Sequence, residues 1–283
     1  MFKAKLTNSK GDYIILNKNS PFIITNAEGL YPANATVNTS SIALIDGSKF
    51  NSSKVNEKQL MLEITINEDA EKNRINLYKV LKPKEKIRFD YENTLRQVFI
   101  EGIIESMPIE HFSQKQTCSL TIKCPFPFFK EAQEIVNDIS NTVNMFHFPF
   151  AIENDKPIPL SYLDTQATVT INNYGDIETG IIIEIYARNN VINPKIFNYI
   201  TGEFIGVNFE MVAGDSVYID TNQGKKTIEL FREGKTINIF NKRMKDMKWI
   251  QLNYGENTFY YEAEQGIYNM SVKISHTNIY VGV

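Results

Sequence analysis

The stretch QTCSLTIKCPFPFF, Gln116 to Phe129, decides how the chain is read. In its first part the side chains alternate. Cys118, Leu120, Ile122 and Cys124 fall on one side; Thr117, Ser119, Thr121 and Lys123 fall on the other. A period of two describes a strand with one face buried. Pro125 and Pro127 then stop the ladder, because proline has no N–H to donate. Phe126, Phe128 and Phe129 stand at that break, and an apolar cluster there has to be covered. The stretch is expected to be the last strand of one domain and the seam into a second.

Upstream, Phe2 to Thr7 and Tyr13 to Leu16 form a hairpin pattern around a Lys10-Gly11-Asp12 turn. Pro21 to Thr25 and Ala35 to Ile45 are expected to be extended, with a turn at Asn26 to Leu30 between them. Asp46-Gly47-Ser48 reads as a tight turn opening a polar loop through Asn56. Gln59 to Ile66 is a strand pattern, with Leu60, Leu62, Ile64 and Ile66 on one face. The period then lengthens: Ala70, Arg74, Leu77, Tyr78 and Leu81 recur at helical spacing between Glu68 and Leu81. Asn67 is the expected cap and Pro83 the stop. Strands are expected again at Lys86 to Tyr91 and Gln97 to Glu105. Residues 1–129 thus predict a β-sandwich or barrel with one helix.

Downstream, five of the ten prolines lie between residues 125 and 159, which marks 130–163 as a connector. Ala132, Ile135, Val136 and Ile139 suggest a short helix inside it; MFHFPFAI and Lys156-Pro157-Ile158-Pro159 read as extended. From 164 to 283 short strand patterns follow one another, among them Gly180 to Arg188, Val191 to Tyr199, Glu203 to Met211, Ser216 to Asp220 and Tyr268 to Ser275. Turn signals such as Asn222-Gln223-Gly224, Glu233-Gly234 and Gln265-Gly266 separate them, a spacing that predicts an antiparallel sandwich.

The totals narrow the function. A chain of 283 residues, 42% hydrophobic and 22% charged, is long enough for two cores. A net charge of −3 argues against a surface built to neutralise phosphates. The start, MFKAKLTNSKGDYIIL, has no apolar h-region, and no run approaches the ~20 apolar residues of a membrane helix. Folding in a cytoplasm is the expectation. The two cysteines, Cys118 and Cys124, are about 20 Å apart along one strand and are expected as buried thiols.

No catalytic constellation stands out. The chain has no G-x-S-x-G, Walker or G-x-G-x-x-G motif, and His111, His147 and His276 have no ligand partner at short spacing. Neither catalytic residues, nor a metal site, nor a cofactor is assigned. Scattered carboxylates leave a glycosidase pair open, a weak third reading. Trp249 is the only tryptophan, and either it or Ile250 points inward, so Trp249 is a candidate sugar contact or a core residue. The excursion Gly47 to Asn56 is longer than a hairpin needs. It is either a disordered tip or an arm that grips a neighbour. Its candidate contact residues are Ser48, Lys49, Phe50, Asn51, Ser52, Ser53 and Lys54.

Taken in order, several segments resemble the distal tail proteins of siphovirus phages. They are Gly29 to Pro32 (GLYP), Asp46 to Phe50, the strand QLMLEITI, the break near LKPKEKIRFDY, QVFIEGIIESMPIEHFSQKQ and the close in Cys124-Pro125. In the second half they are Ile171 to Gly180, Val212 to Ile228, Leu252 to Ala263 and Tyr280 to Val283. Glu57-Lys58 departs from the pattern, which commonly has arginine there, and Lys245 to Gln251 lacks the serine-rich approach. The resemblance implies a mainly β chain. Its first domain would be a tail-tube-like β-sandwich or split barrel with one helix, closing into a homohexamer ring. Its second would be a galectin-like antiparallel β-sandwich. It implies a non-enzymatic baseplate hub in the virion tail, made in the host cytoplasm. The ring would join the tail-tube protein to a tail-tip or tail-associated lysin protein and carry receptor-binding proteins, with no nucleic-acid recognition and no membrane. A cyclic ring needs complementary patches on two sides of a domain, and Ser48 to Lys54 is one candidate. The alternative is a carbohydrate-binding adhesion module acting through the second domain.

Overall fold

A computed structural model describes residues 2–44, 46–113, 115–139, 142–144, 161–163 and 168–283. The extended segments expected at 145–152 and 156–159, and His147 with them, lie outside the described residues.

The alternating stretch is an interior strand of a large antiparallel sheet. The strands of this part are β1 (Lys3–Asn8), β2 (Tyr13–Leu16), β3 (Phe22–Glu28), β4 (Ala35–Ser41), β5 (Ser48–Val55), β6 (Lys58–Ile66), β7 (Lys86–Glu92), β8 (Gln97–Ser106), β9 (Gln116–Cys124) and β10 (Phe129–Glu131), with helix α1 (Ala70–Val80) after β6. The sheet path is β2-β1-β7-β8-β9-β6-β3. Its edge strands β2 and β3 are joined by only five residues, so the sheet must curl until its edges approach. β6 and β9 pair along nine residues, from Lys58↔Cys124 to Ile66↔Gln116. Opposite residues share a face, so Leu60, Leu62 and Ile64 lie over Ile122, Leu120 and Cys118, all buried. Each such side chain contributes about 1.5–3 kcal/mol on leaving water. Cys118 and Cys124 are free thiols in this core, each pushed up to about 12 by burial. Gly102 in β8 lets the sheet close tightly: a Cβ there would sit 2.5 Å from Ile122 Cγ2 and 2.7 Å from the Lys123 carbonyl.

α1 begins at Ala70, later than the helical period suggests, because Glu68 and Asp69 take positive φ. Asn67 is not its cap, and no side chain caps it; the Asn73 amide instead donates to the Glu68 carbonyl at 2.8 Å. Leu77 and Leu81 enter the core. The helix expected around Ala132 to Ile139 is absent: Ile135–Ile139 is a strand paired to Met270–His276. The β-branched residues Ile135, Val136 and Ile139 suit a pleated partner, and the ladder overrides their helix-like spacing.

The chain divides into two compact units, Met1–Ala132 with Ile279–Val283, and Gln133–Asn278. The second domain expected at 164–283 therefore differs at both ends. Its last residues belong to the first unit, where Phe129 pairs with Tyr280 and Lys130 with Ile279. The second unit has one sheet in the order Ile135–Ile139, Met270–His276, Thr179–Ala187, Ser216–Asp220, Thr227–Arg232, Lys235–Asn238, with Gln251–Leu252 on the Thr179–Ala187 strand. A second sheet runs Thr168–Asn173, Gly255–Glu262, Lys195–Asn198, Phe204–Gly206. Ile181, Ile183, Ile185 and Ile274 from the first sheet share one core with Ile171, Ile196, Ile205 and Phe259 from the second. Two sheets burying their inner faces together make a β-sandwich. The single strand expected at Val191 to Tyr199 is split, because Asn193 takes positive φ and Pro194 follows.

Candidate functional site

The polar loop expected at Gly47 to Asn56 is instead half of a β-ribbon. Among the described residues β4 and β5 pair only with each other, from Ala35↔Val55 to Ser41↔Ser48. A bulge between Asn38 and Thr39 leaves Asn51 with no residue opposite it in the register, and Ser40 Oγ of β4 donates to its Oδ1 at 3.3 Å. Every residue of both strands is exposed. The register sorts the side chains, since directly opposite residues share a face. Ala35, Val37, Phe50 and Val55 fall on one face, together with Thr39, Ser41, Ser48 and Ser53; Thr36, Asn38, Ser40, Lys49, Ser52 and Lys54 fall on the other. The polar face is tied by Asn38 Nδ2 donating to Ser52 Oγ at 3.0 Å and, at the base, by Thr36 Oγ1 donating to Asn56 Oδ1 at 2.9 Å. Among the described residues nothing covers the apolar face: Val37 is 57% and Phe50 60% exposed. The tip adds Ile42 and Leu44, also exposed.

A two-stranded ribbon is at best marginally stable alone in water, and an apolar face is what a third element would cover. This ribbon is anchored firmly at its base. Gly29 takes φ +89° and lies so close to β6 that a Cβ would stand 2.2 Å from the Gln59 carbonyl. Lys58, buried at a core position of β6, donates from Nζ to the Tyr31 carbonyl at 2.7 Å and to the Val281 carbonyl at 3.2 Å. Its ammonium also lies 4.6 Å from the Phe129 ring centroid. Burial pulls its pKa down to about 8. The arm is thus a fixed projection with an uncovered apolar side.

All seven residues singled out from the sequence, Ser48 to Lys54, lie on β5 and are brought together there. The apolar partners Ala35 and Val37 on β4, and the anchor Lys58, were not singled out. The signal for the partners is a short alternation in Ala35 to Thr39, diluted by serine and threonine.

Trp249 lies elsewhere, in the second unit. It is half-buried against that core and stacks on Phe240 at 5.7 Å and 23°, with Lys226 Nζ 5.6 Å from its ring. Ile250 is the inward residue of the pair. His111 is exposed and bonds Arg74 through Nδ1 at 2.6 Å. His276 is buried in the second unit, and burial lowers its pKa. Among the described residues no three His, Cys, Asp or Glu side chains gather as a metal site, and no helix is long and apolar enough to cross a membrane.

Residues 174–280 match the family model of the siphovirus-type tail component, C-terminal domain. Over 99% of both chains the fold is similar to that of the SPP1 Dit (gp 19.1) protein, described as a paradigm of hub adsorption apparatus in phages infecting Gram-positive hosts, with a TM-score of 0.71 at 13% identity. A chain of the phage P2 baseplate in its activated conformation with Ca is similar over 98% of both chains, with a TM-score of 0.51 at 12% identity. No curated protein matches in sequence. The resemblance to a siphovirus distal tail protein is upheld by the family model across 174–280 and by the fold along nearly the whole chain.

Proposed function

We propose that the chain, whose residues 174–280 match the siphovirus-type tail component domain, is a structural, non-enzymatic hub of a phage tail tip. Copies close into a homohexameric ring through the first unit, and the β4–β5 ribbon of one copy covers part of its apolar face on the next. The ring joins the tail-tube protein to a tail-tip or tail-associated lysin protein and carries receptor-binding proteins, which places the chain in the virion tail. The galectin-like character of the second unit and the tube-like character of the first belong to this reading. The observation that carries it is the ribbon itself: an anchored arm, exposed along both strands, with Val37, Phe50 and Val55 uncovered. A heterologous contact of that kind closes into a ring when its rotation divides the circle.

Light scattering after size exclusion tests it. The purified chain is expected at six times its 32.5 kDa, or at a small multiple of that ring. Deleting Ser48–Lys54 is expected to shift the mass toward the monomer with the strand content of the body retained. A strict monomer at high concentration sinks the hub reading, and an unchanged ring after the deletion sinks the role of the arm.

A further inference from the structure

The outward face of the second unit's four-stranded sheet holds groups that ring assembly leaves unused. Register sets Phe204 beside Phe197 and Phe197 beside Tyr260. Their ring centroids are 5.5 and 4.9 Å apart, so the three rings form a continuous apolar wall. Tyr199, 71% exposed, extends the wall by meeting Tyr260 at 6.3 Å and 73°. Two residues along each strand, hence on the same face, Lys195 lies opposite Glu262. These two border a groove of about 580 Å³, closed on its other side by Asn208, Arg243 and Lys245. That side is fixed by backbone bonds: Asn208 N–H donates to the Lys242 carbonyl at 2.7 Å and Met244 N–H to the Gly206 carbonyl at 3.1 Å.

The side chains of Lys195, Asn208, Arg243, Lys245 and Glu262 make no hydrogen bond or ion pair among the described residues. Lys195 Nζ lies 5.7 Å from the Phe204 ring centroid and Arg243 Cζ 4.9 Å from that of Phe240, ring contacts that leave their N–H groups open to a ligand. We propose that this groove and the aromatic surface beside it on the same sheet face bind a neutral polysaccharide. A hydroxyl donates and accepts at once, and the groove's lining offers both functions: ammonium, guanidinium and amide donors, and a carboxylate acceptor. The C–H faces of a sugar ring are apolar and suit the aromatic wall. The mixed lining, with cations and carboxylates side by side, favours a neutral occupant over a strongly charged one. Glu262 and Glu264 repel a polyanion; Lys195, Arg243 and Lys245 repel a polycation. An apolar protein segment would desolvate these polar groups with no partner, which is unfavourable. The volume lies in the range of about 300–1,000 Å³ typical of small-ligand sites. The site is separate from Trp249 and independent of the arm.

The full chain is titrated with hexaoses of glucose, galactose and N-acetylglucosamine, with polyglycerol phosphate as the anionic comparison, and followed by saturation-transfer NMR and calorimetry. At least one neutral hexaose is expected to bind with a Kd below about 10 mM. Glu262→Gln and Tyr199→Ser are each expected to weaken it at least about tenfold with an unchanged melting temperature, and Trp249→Phe to leave it unaltered. Binding of no neutral hexaose, binding equally strong in both variants, or binding of the polyglycerol phosphate alone overturns the proposal. The ring mass of the same samples is recorded separately, so a failure of hub assembly is distinguishable from a failure of sugar binding.

Discussion

Lys58 and Asp215 are charged residues at buried positions, and each is held by a specific partner set. The alternation of Gln59 to Ile66, extended one residue back, sends Lys58 inward. Its burial was therefore legible, but the Tyr31 and Val281 carbonyls that hold its ammonium were not, since they come from distant parts of the chain. Asp215, 1% exposed, was not singled out at all. It lies in the turn between Met211 and Ser216, where acidic residues are ordinary, and only the fold brings Arg232 to it. Arg232 Nε donates to Asp215 Oδ1 at 2.8 Å and Nη2 to Oδ2 at 2.5 Å, while Val212 N–H donates to Oδ2 at 2.8 Å. Burial raises the carboxyl's pKa, but these bonds and the Arg232 charge outweigh it and hold it below its ordinary 3.8. A depressed carboxyl contributes stability that is full above the unfolded value and is lost as pH falls through the folded one. Asp215→Asn is therefore expected to cost about 1–3 kcal/mol at pH 7. The gap to the parent chain should begin to narrow as pH falls through 3.8 and close once pH has passed the lower, folded value. Urea titrations at pH 7 and pH 3 check this, and an equal gap at both values refutes the pairing.

Among the elements, those with a strict period of two were legible to within a residue. β9 and Ser216–Asp220 coincide with their expected ranges, because a one-residue slip would turn the whole apolar set to solvent. The misreadings have physical causes. Ile135–Ile139 carries apolar residues at both helical and strand-compatible spacing, and five residues are too few to decide. β5 was read as loop because SKFNSSKV has no consistent buried face within one chain. Its apolar residues Phe50 and Val55 share a face with Ala35 and Val37 of β4, a face that exists only at the level of the ribbon. This makes a separable prediction. Val37 and Phe50 are exposed in the single chain, so the double change Val37→Ser, Phe50→Ser is expected to alter monomer stability by no more than about 0.5 kcal/mol per site. The same change is expected to dissociate the assembly at concentrations where the parent is intact. A large loss of monomer stability, seen by denaturation at low concentration, would mean that the ribbon packs on its own chain.

At the scale of the molecule, the proline- and phenylalanine-rich joint was visible in the sequence but the return of the chain was not. Nothing in Ile279 to Val283 separates it from the strands before it; only pairing assigns it to the first unit. The second unit is thereby an insertion. The chain leaves the first unit after β10 and re-enters at Ile279, and these strands are hydrogen-bonded neighbours, with Lys130 opposite Ile279. β10 is further held to β8 through Lys130↔Phe99 and Glu131↔Val98. On the returning side, Arg96 lies 4.2 Å over the Tyr280 ring and donates to the Gly282 carbonyl at 2.5 Å, and Val283 N–H donates to the Leu30 carbonyl at 3.0 Å. Two antiparallel neighbours need no more than a two-residue turn to connect them. Replacing Gln133–Asn278 by a short Asn-Gly turn is therefore expected to leave a first unit that unfolds in one cooperative step and still assembles through its arm. Ending the chain at Asn278 instead removes Tyr280 from that core and is expected to destabilise the first unit by about 3–5 kcal/mol, the usual cost of losing a buried aromatic side chain. Thermal unfolding of the two shortened chains decides between this and independent, sequential domains. If the chain ending at Asn278 keeps the parent's first-unit transition, the closing strand contributes nothing to that unit.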